Sequence, residues 1–132
     1  MANIRVHPPE SSNFETLRSM VPEAEQPKYG QTELDSTLWF IEPGDKESLQ
    51  LFEVDYLPDA DIAVHAHDED EIIYILGGEM RLGNRVLKPG GSIFIAGNTL
   101  YSFKAGPEGL RMLNFRPRRD NSFIRPEDHK RR

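Results

Sequence analysis

From Asp35 onward the chain is cut into short β-prone runs by turn-forming residues, and this limits its architecture more than any other feature. The runs are Thr37–Glu42, Leu49–Leu57, Ile62–His67, Glu71–Leu76, Arg85–Leu87, Ser92–Ala96, Leu100–Lys104 and Leu110–Arg116. Between them stand Pro43-Gly44-Asp45, Pro58-Asp59, Gly77-Gly78, Gly83-Asn84, Pro89-Gly90-Gly91, Gly97-Asn98 and Gly106-Pro107. Glycine, proline, aspartate and asparagine supply the tight-turn backbone that ends a strand. Many short strands at this spacing predict an all-β sandwich or closed barrel. Nothing after Val21 carries a helical period. Before it, Ser12 with Glu15 three residues on reads as a capping box, predicting a short helix over about Asn13–Met20 that ends before Val21-Pro22.

The 132 residues suffice for one domain with its own core. Composition narrows the function. With no cysteine, disulfides and thiolate metal sites are excluded. The net charge is −6, but Arg116–Arg132 holds seven basic and three acidic residues, a local +4 that leaves −10 on the remainder. An acidic body repels phosphate backbones, so no nucleic-acid partner is expected, and the basic end reads as a solvated tail. The start of the chain lacks the pattern of a secretory leader and no stretch reaches membrane-spanning length. A soluble cytoplasmic protein with no membrane partner is the expectation.

The chemistry-bearing pattern is His65-x-His67 followed by Glu71. Residues two apart on a strand share a face, so both imidazoles can reach one ion. Glu71 opens the next apolar run and can fold back across the turn Asp68-Glu69-Asp70. Two imidazoles and a carboxylate form the facial triad of a non-haem metal site. The competing reading is a solvated acidic turn beside two ordinary histidines.

The stretch His65-x-His67-x3-Glu71-x6-Gly78 resembles the first motif of the cupin superfamily. The family's leading glycine is Asp59 here. The resemblance spans about Asp35 to Pro117. It implies an all-β, cupin-type double-stranded β-helix (a jelly-roll barrel) behind a short N-terminal helix. It also implies a division into an N-terminal extension (1–34), the barrel (35–117) and a basic C-terminal tail (118–132). The second motif is degenerate. In the register that begins at Gly90, the family's proline is Ala96, its glycine Asn98, its final asparagine Ala105, and its histidine Tyr101.

On this reading His65, His67 and Glu71 are the metal ligands, and Glu71 and Tyr101 the catalytic candidates. Tyr101 can fill the core, hold a water or substrate through its phenol, or ligate as phenolate. Tyr101, Arg111 and Asn114 are candidate substrate contacts, and Tyr56 and Arg81 can also project inward. The implied cofactor is a divalent ion, Fe first, with Mn, Ni or Zn as alternatives. The implied function is a non-haem dioxygenase acting on a small organic substrate. The alternatives are a non-redox isomerase, epimerase or lyase, and a binding protein without turnover. The unpartnered apolar residues of the N-terminal extension, with the habit of cupin relatives, imply a homodimer.

Overall fold

The computed structural model describes residues 3–130, so the first two residues of the expected extension and the last two of the expected tail lie outside it. Eight strands form one antiparallel sheet: β1 (Glu15–Thr16), β2 (Thr37–Glu42), β3 (Gln50–Tyr56), β4 (Asp61–His65), β5 (Glu71–Leu82), β6 (Arg85–Leu87), β7 (Ser92–Ile95) and β8 (Tyr101–Arg116). The path runs β1-β2-β3-β8-β5-β6, with β4 added to β8 and β7 added to β5. It does not return on itself, so the expected closed barrel is instead an open, folded sheet of the jelly-roll kind.

The fold turns on β5 and β8, which pair along most of their length and change outer partners halfway. β8 pairs first with β4, through Ile62 opposite Phe103 and His65 opposite Tyr101, and then with β3 from Tyr56–Leu110 to Gln50–Arg116. β5 pairs first with β7 and then with β6. At the change-over the β5–β8 register slips. Met80 faces Ala105 and Gly78 faces Leu110, leaving residues 106–109 opposed only by Glu79. Gly78 and Gly109 both take positive φ there, 68° and 89°. A Cβ on Gly78 would stand 2.1 Å from the Gly109 carbonyl oxygen, so no other residue fits the bend. This corrects two expected strand breaks. The chain stays extended through Gly77-Gly78 and through Gly106-Pro107, because Pro107 falls in the bulge, where no ladder N–H is required.

Alternation along these strands makes the core. Ile73 and Ile75 of β5 and Leu110 and Met112 of β8 are buried, with Phe52, Val54, Ile62, Met80 and Phe103 around them. Their β5 neighbours Ile72 and Tyr74 face outward.

The N-terminal helix is shorter than expected. Glu15 and Thr16 pair with Leu38 and Thr37, so sheet hydrogen bonds take the residues that would have opened it. Helix α1 is only Leu17–Met20, and its cap is Thr16, whose Oγ1 accepts from the Ser19 amide at 3.2 Å, not Ser12. Leu17 and Met20 pack on the core, while Ile4 and Val6 remain exposed. Two further short helices, α2 (Gln31–Asp35) and α3 (Pro126–His129), are about one turn each, too short to leave a period in the sequence. Among the described residues no helix is long and apolar enough to cross a membrane. The expected solvated tail also needs correction: Asp120 and Ile124 are buried, and Ile124 bridges to Ala66.

Candidate metal and substrate site

A cavity of about 750 Å³ opens between the folded halves of the sheet, lined by Phe40, Phe52, Tyr56, Phe103 and Met112, by His65, His67, Tyr101, Asn114 and Arg116, and by the charged Glu25, Lys28 and Glu33. Alternation places the strand residues of this set. Asn114 and Arg116 continue the inward face of Leu110 and Met112, and Tyr101 precedes Phe103 on β8, while Glu71 precedes Ile73 and Ile75 on the inward face of β5, behind the lining. His65 ends β4 and His67 follows Ala66, both facing in and both buried.

Glu71 is the hub. Its Oε1 accepts from the Tyr101 hydroxyl at 2.5 Å, and its Oε2 accepts from Asn114 Nδ2 at 2.9 Å and from Arg116 Nη2 at 3.0 Å and Nε at 3.3 Å. The Arg116–Glu71 pair is almost wholly shielded from solvent. A third edge of the guanidinium donates to the Asp120 carbonyl at 2.5 Å. Burial works to raise the Glu71 carboxyl, but the charge of Arg116, followed by His67 and the bonds from Tyr101 and Asn114, holds it below its ordinary range. Burial, and then the charge of Glu71, pushes the Tyr101 phenol well above its ordinary range. At neutral pH, Glu71 is therefore a fixed carboxylate and Tyr101 a fixed donor. Among the described residues, Asn114 Oδ1 is buried without a hydrogen-bond partner.

The imidazoles are arranged differently. Nδ1 of His65 meets the Ala63 carbonyl at 2.6 Å, and Nδ1 of His67 meets the Ser122 carbonyl at 2.5 Å. A carbonyl only accepts, so each Nδ1 carries the proton and each Nε2 keeps its lone pair. The ring centroids are 4.7 Å apart. Burial, then the neighbouring His67, lowers His65 to about 4, and burial, then Arg116, lowers His67. Both rings are neutral at pH 7. Neutral imidazoles with Nδ1 tied to a backbone carbonyl are the form in which histidine ligates metals.

Two neutral imidazoles are thus available to a divalent ion, with Glu71, the third ligand that the sequence implied, within electrostatic reach of His67. Among the described residues, no three His, Cys, Asp or Glu side chains come together as a group able to hold an ion. Glu71 lies in the same constellation, but its oxygens are engaged by neighbours and its charge is balanced by Arg116. Tyr101 and Asn114, expected as substrate contacts, do line the cavity, where they hold Glu71. Tyr56 also lines the cavity. Arg111 does not join them. It is half exposed on the outer face, 3.4 Å from Glu53 and 3.6 Å from Asp55. Arg81 is likewise exposed, beside Glu79.

Sequence reasoning missed Arg116, Glu33 and Phe123. The period of two that places Leu110, Met112 and Asn114 inward continues to Arg116, so that residue was within reach of the pattern. Glu33 sits on a one-turn helix and Phe123 on an irregular segment, and neither has a periodic signature.

No protein-family model matches the chain, and no curated protein does. Solved structures do. An RmlC-like cupin protein from Ralstonia eutropha JMP134 superposes with a TM-score of 0.71 at 10% identity, over 96% of this chain and 75% of that one. The polyketide cyclase RemF from Streptomyces resistomycificus superposes with a TM-score of 0.70 at 24% identity, over 97% and 90%. Oxalate decarboxylase from Bacillus subtilis, described with Mn(II) centres, superposes with a TM-score of 0.60 at 18% identity, over 69% of this chain and 28% of that larger one. With its long bent strands, inward His-x-His pair and buried Glu71, the chain has the cupin fold.

Proposed function

We propose that this chain is a metal-dependent cupin acting on a small, largely apolar organic molecule, with the ion held by His65 and His67. The observation that supports this is the pair of neutral imidazoles whose Nδ1 protons are committed to carbonyls while both rings line the cavity. A bound redox-active ion such as Fe(II) would supply dioxygen chemistry, and a closed-shell ion would supply Lewis acidity. Aromatic and aliphatic walls receive the apolar body of the substrate. The polar end orients it and keeps charge out of bulk water.

Oxygenase chemistry is the first reading and proton-moving, non-redox chemistry its alternative. An isomerase would need a residue to move protons near neutral pH. Glu71 is held ionised and Tyr101 protonated, but Glu33, which lines the same cavity, is pushed up to about 7 and meets that need. The oxygenase reading places no such demand on any side chain, and the measurement below decides between the two.

The test is the double variant His65→Ala/His67→Ala, loaded with Fe(II), Mn(II) or Zn(II) beside the wild type. Elemental analysis is expected to show about one ion per chain in the wild type and none in the variant. Equal metal content in both removes the assignment. Dioxygen uptake by the Fe(II)-loaded wild type with diketones or catechols is the further expectation, and retained metal with no uptake across such substrates moves the reading to non-redox chemistry.

A further inference from the structure

After β8 ends at Arg116 the chain does not leave the molecule. It turns at Pro117 and runs back over the polar end of the cavity, fixed at successive points. The Arg119 amide donates to the Asp45 carbonyl at 3.0 Å, and the Asp120 amide donates to Gln50 Oε1 at 3.3 Å. The Asp120 carboxylate then organises a turn. Its Oδ2 accepts from the Glu69 amide at 2.8 Å, and its Oδ1 accepts from the Ser122 amide at 2.9 Å and from the Ser122 hydroxyl. Ser122 Oγ in turn accepts from the Asp68 amide at 2.8 Å. Ile124 closes the segment with two backbone bonds to Ala66, each 2.9 Å. Both anchors therefore land on the stretch that carries the histidines.

Two contacts of this segment reach the imidazoles. The Ser122 carbonyl is the acceptor for His67 Nδ1 at 2.5 Å. The Phe123 ring lies flat on His65, with centroids 4.3 Å apart and planes 12° from parallel, and its centroid is also 4.3 Å from that of Tyr29. The two histidines thus differ in what holds them. His65 takes its Nδ1 partner from Ala63, two residues back, whereas His67 takes its partner from 55 residues away.

We infer that residues 120–124 are a positioning strap for the site: through the turn set by Asp120, the Ser122 carbonyl fixes the His67 proton on Nδ1, and Phe123 fixes the plane of His65. Without the strap His67 has no carbonyl at Nδ1 and is free to place its proton on either nitrogen, and a ring protonated at Nε2 offers no lone pair to the cavity. Asp120, Ser122 and Phe123 act through the histidines and are positioning residues. The consequence for metal affinity rests on the function proposed above, but the tautomer does not.

The test uses the full chain, ¹⁵N-labelled and metal-free, near pH 7.5. Long-range proton–nitrogen correlation spectra report which ring nitrogen carries the proton. In the wild type both His65 and His67 are expected as the single Nδ1–H form, and an Nε2–H form of His67 there overturns the inference before any variant is made. In Asp120→Ala, His67 is expected to become a mixture of tautomers while His65 stays unchanged, with partial recovery in Asp120→Asn. A folded Asp120→Ala in which His67 keeps one Nδ1–H tautomer also overturns it. Phe123→Ala covers the other contact. Titration with Zn(II) is expected to give affinity 10–100-fold below wild type, the range for loss of a group that orients a ligand, and equal affinity refutes its role. If the tautomers behave as expected but the wild type binds no metal, the strap stands and the proposed function falls.

Discussion

The two ends of the interior are built on the same strands and solve burial in opposite ways. Along β5 the inward positions run Glu71, Ile73, Ile75, and along β8 they run Leu110, Met112, Asn114, Arg116. One end is hydrocarbon. The other buries an ion pair, an amide and a phenol around one carboxylate. Burying the apolar end is favourable in proportion to its area. Burying the polar end is not: a shielded ion pair often fails to recover its desolvation cost against an apolar replacement of the same shape. A chain selected for stability alone would have continued the isoleucines through position 71. On the function proposed above, the neutral imidazoles beside the polar end are its reason, at a cost in stability.

This comparison predicts different outcomes from equally buried substitutions. Glu71→Gln leaves the Arg116 guanidinium buried without its counter-charge, and a loss of about 3–5 kcal/mol in urea unfolding is expected. Replacing both partners, Glu71→Leu with Arg116→Met, is expected to recover most of it. At the other end, Ile75→Ala is expected to cost about 2–5 kcal/mol from lost contact and an unfilled cavity, with Zn(II) affinity unchanged. If Ile75→Ala abolishes metal binding while the Glu71/Arg116 double replacement remains as unstable as Glu71→Gln, the two ends are not independent in the way described.

A second expectation concerns Glu33, a cavity-lining carboxyl whose oxygen accepts from the Gly30 amide at 3.2 Å. Burial pushes it from 4.5 up to about 7. The folded value lies above the unfolded one, so the protonated form supports the fold. Stability is full below about pH 4.5, falls as pH rises through 7, and then levels off, a change of about 3 kcal/mol for a shift of this size. Glu33→Gln should flatten that part of the profile in thermal or urea melts. An unchanged slope would mean that Glu33 is not the group responsible.

The smallest expected effect belongs to Tyr101→Phe. It removes one hydrogen bond to a charged acceptor, worth about 1.5–3 kcal/mol, while Glu71 keeps Asn114 and Arg116. Metal content should be unchanged. Loss of metal in this variant would place the phenol on the ion and contradict the arrangement of two imidazoles.

What was legible in the sequence divides along a physical line. Strands β2 and β6 match their predicted bounds, and β3, β4 and β7 fall within two residues of them, because period-two alternation and turn residues are local signals. The His-x-His pair and Glu71 were legible for the same reason. The run through Gly106-Pro107 was not, because whether such a pair ends a strand or sits in a bulge depends on a partner strand distant in sequence. The neutralisation of Glu71 depends on Arg116, which composition groups with a basic tail although its register places it inside. The strap was hidden for the most general reason: its role lies in a backbone carbonyl, and a carbonyl leaves no mark on residue identity.

The span between His67 and Ser122 has a consequence for the order of assembly. His65 reaches its Nδ1 acceptor within its own strand, but β4 pairs only with β8, and the Phe123 ring that lies on His65 comes from beyond β8. His67 meets its acceptor only after β5 to β8 have been laid down and the chain has turned back past Asp120. Contacts of such separation require the intervening loop entropy to be lost first, and they form late. Neither imidazole is therefore fully held until the last part of the chain is in place, so that competence to bind an ion arises with the completed tertiary structure.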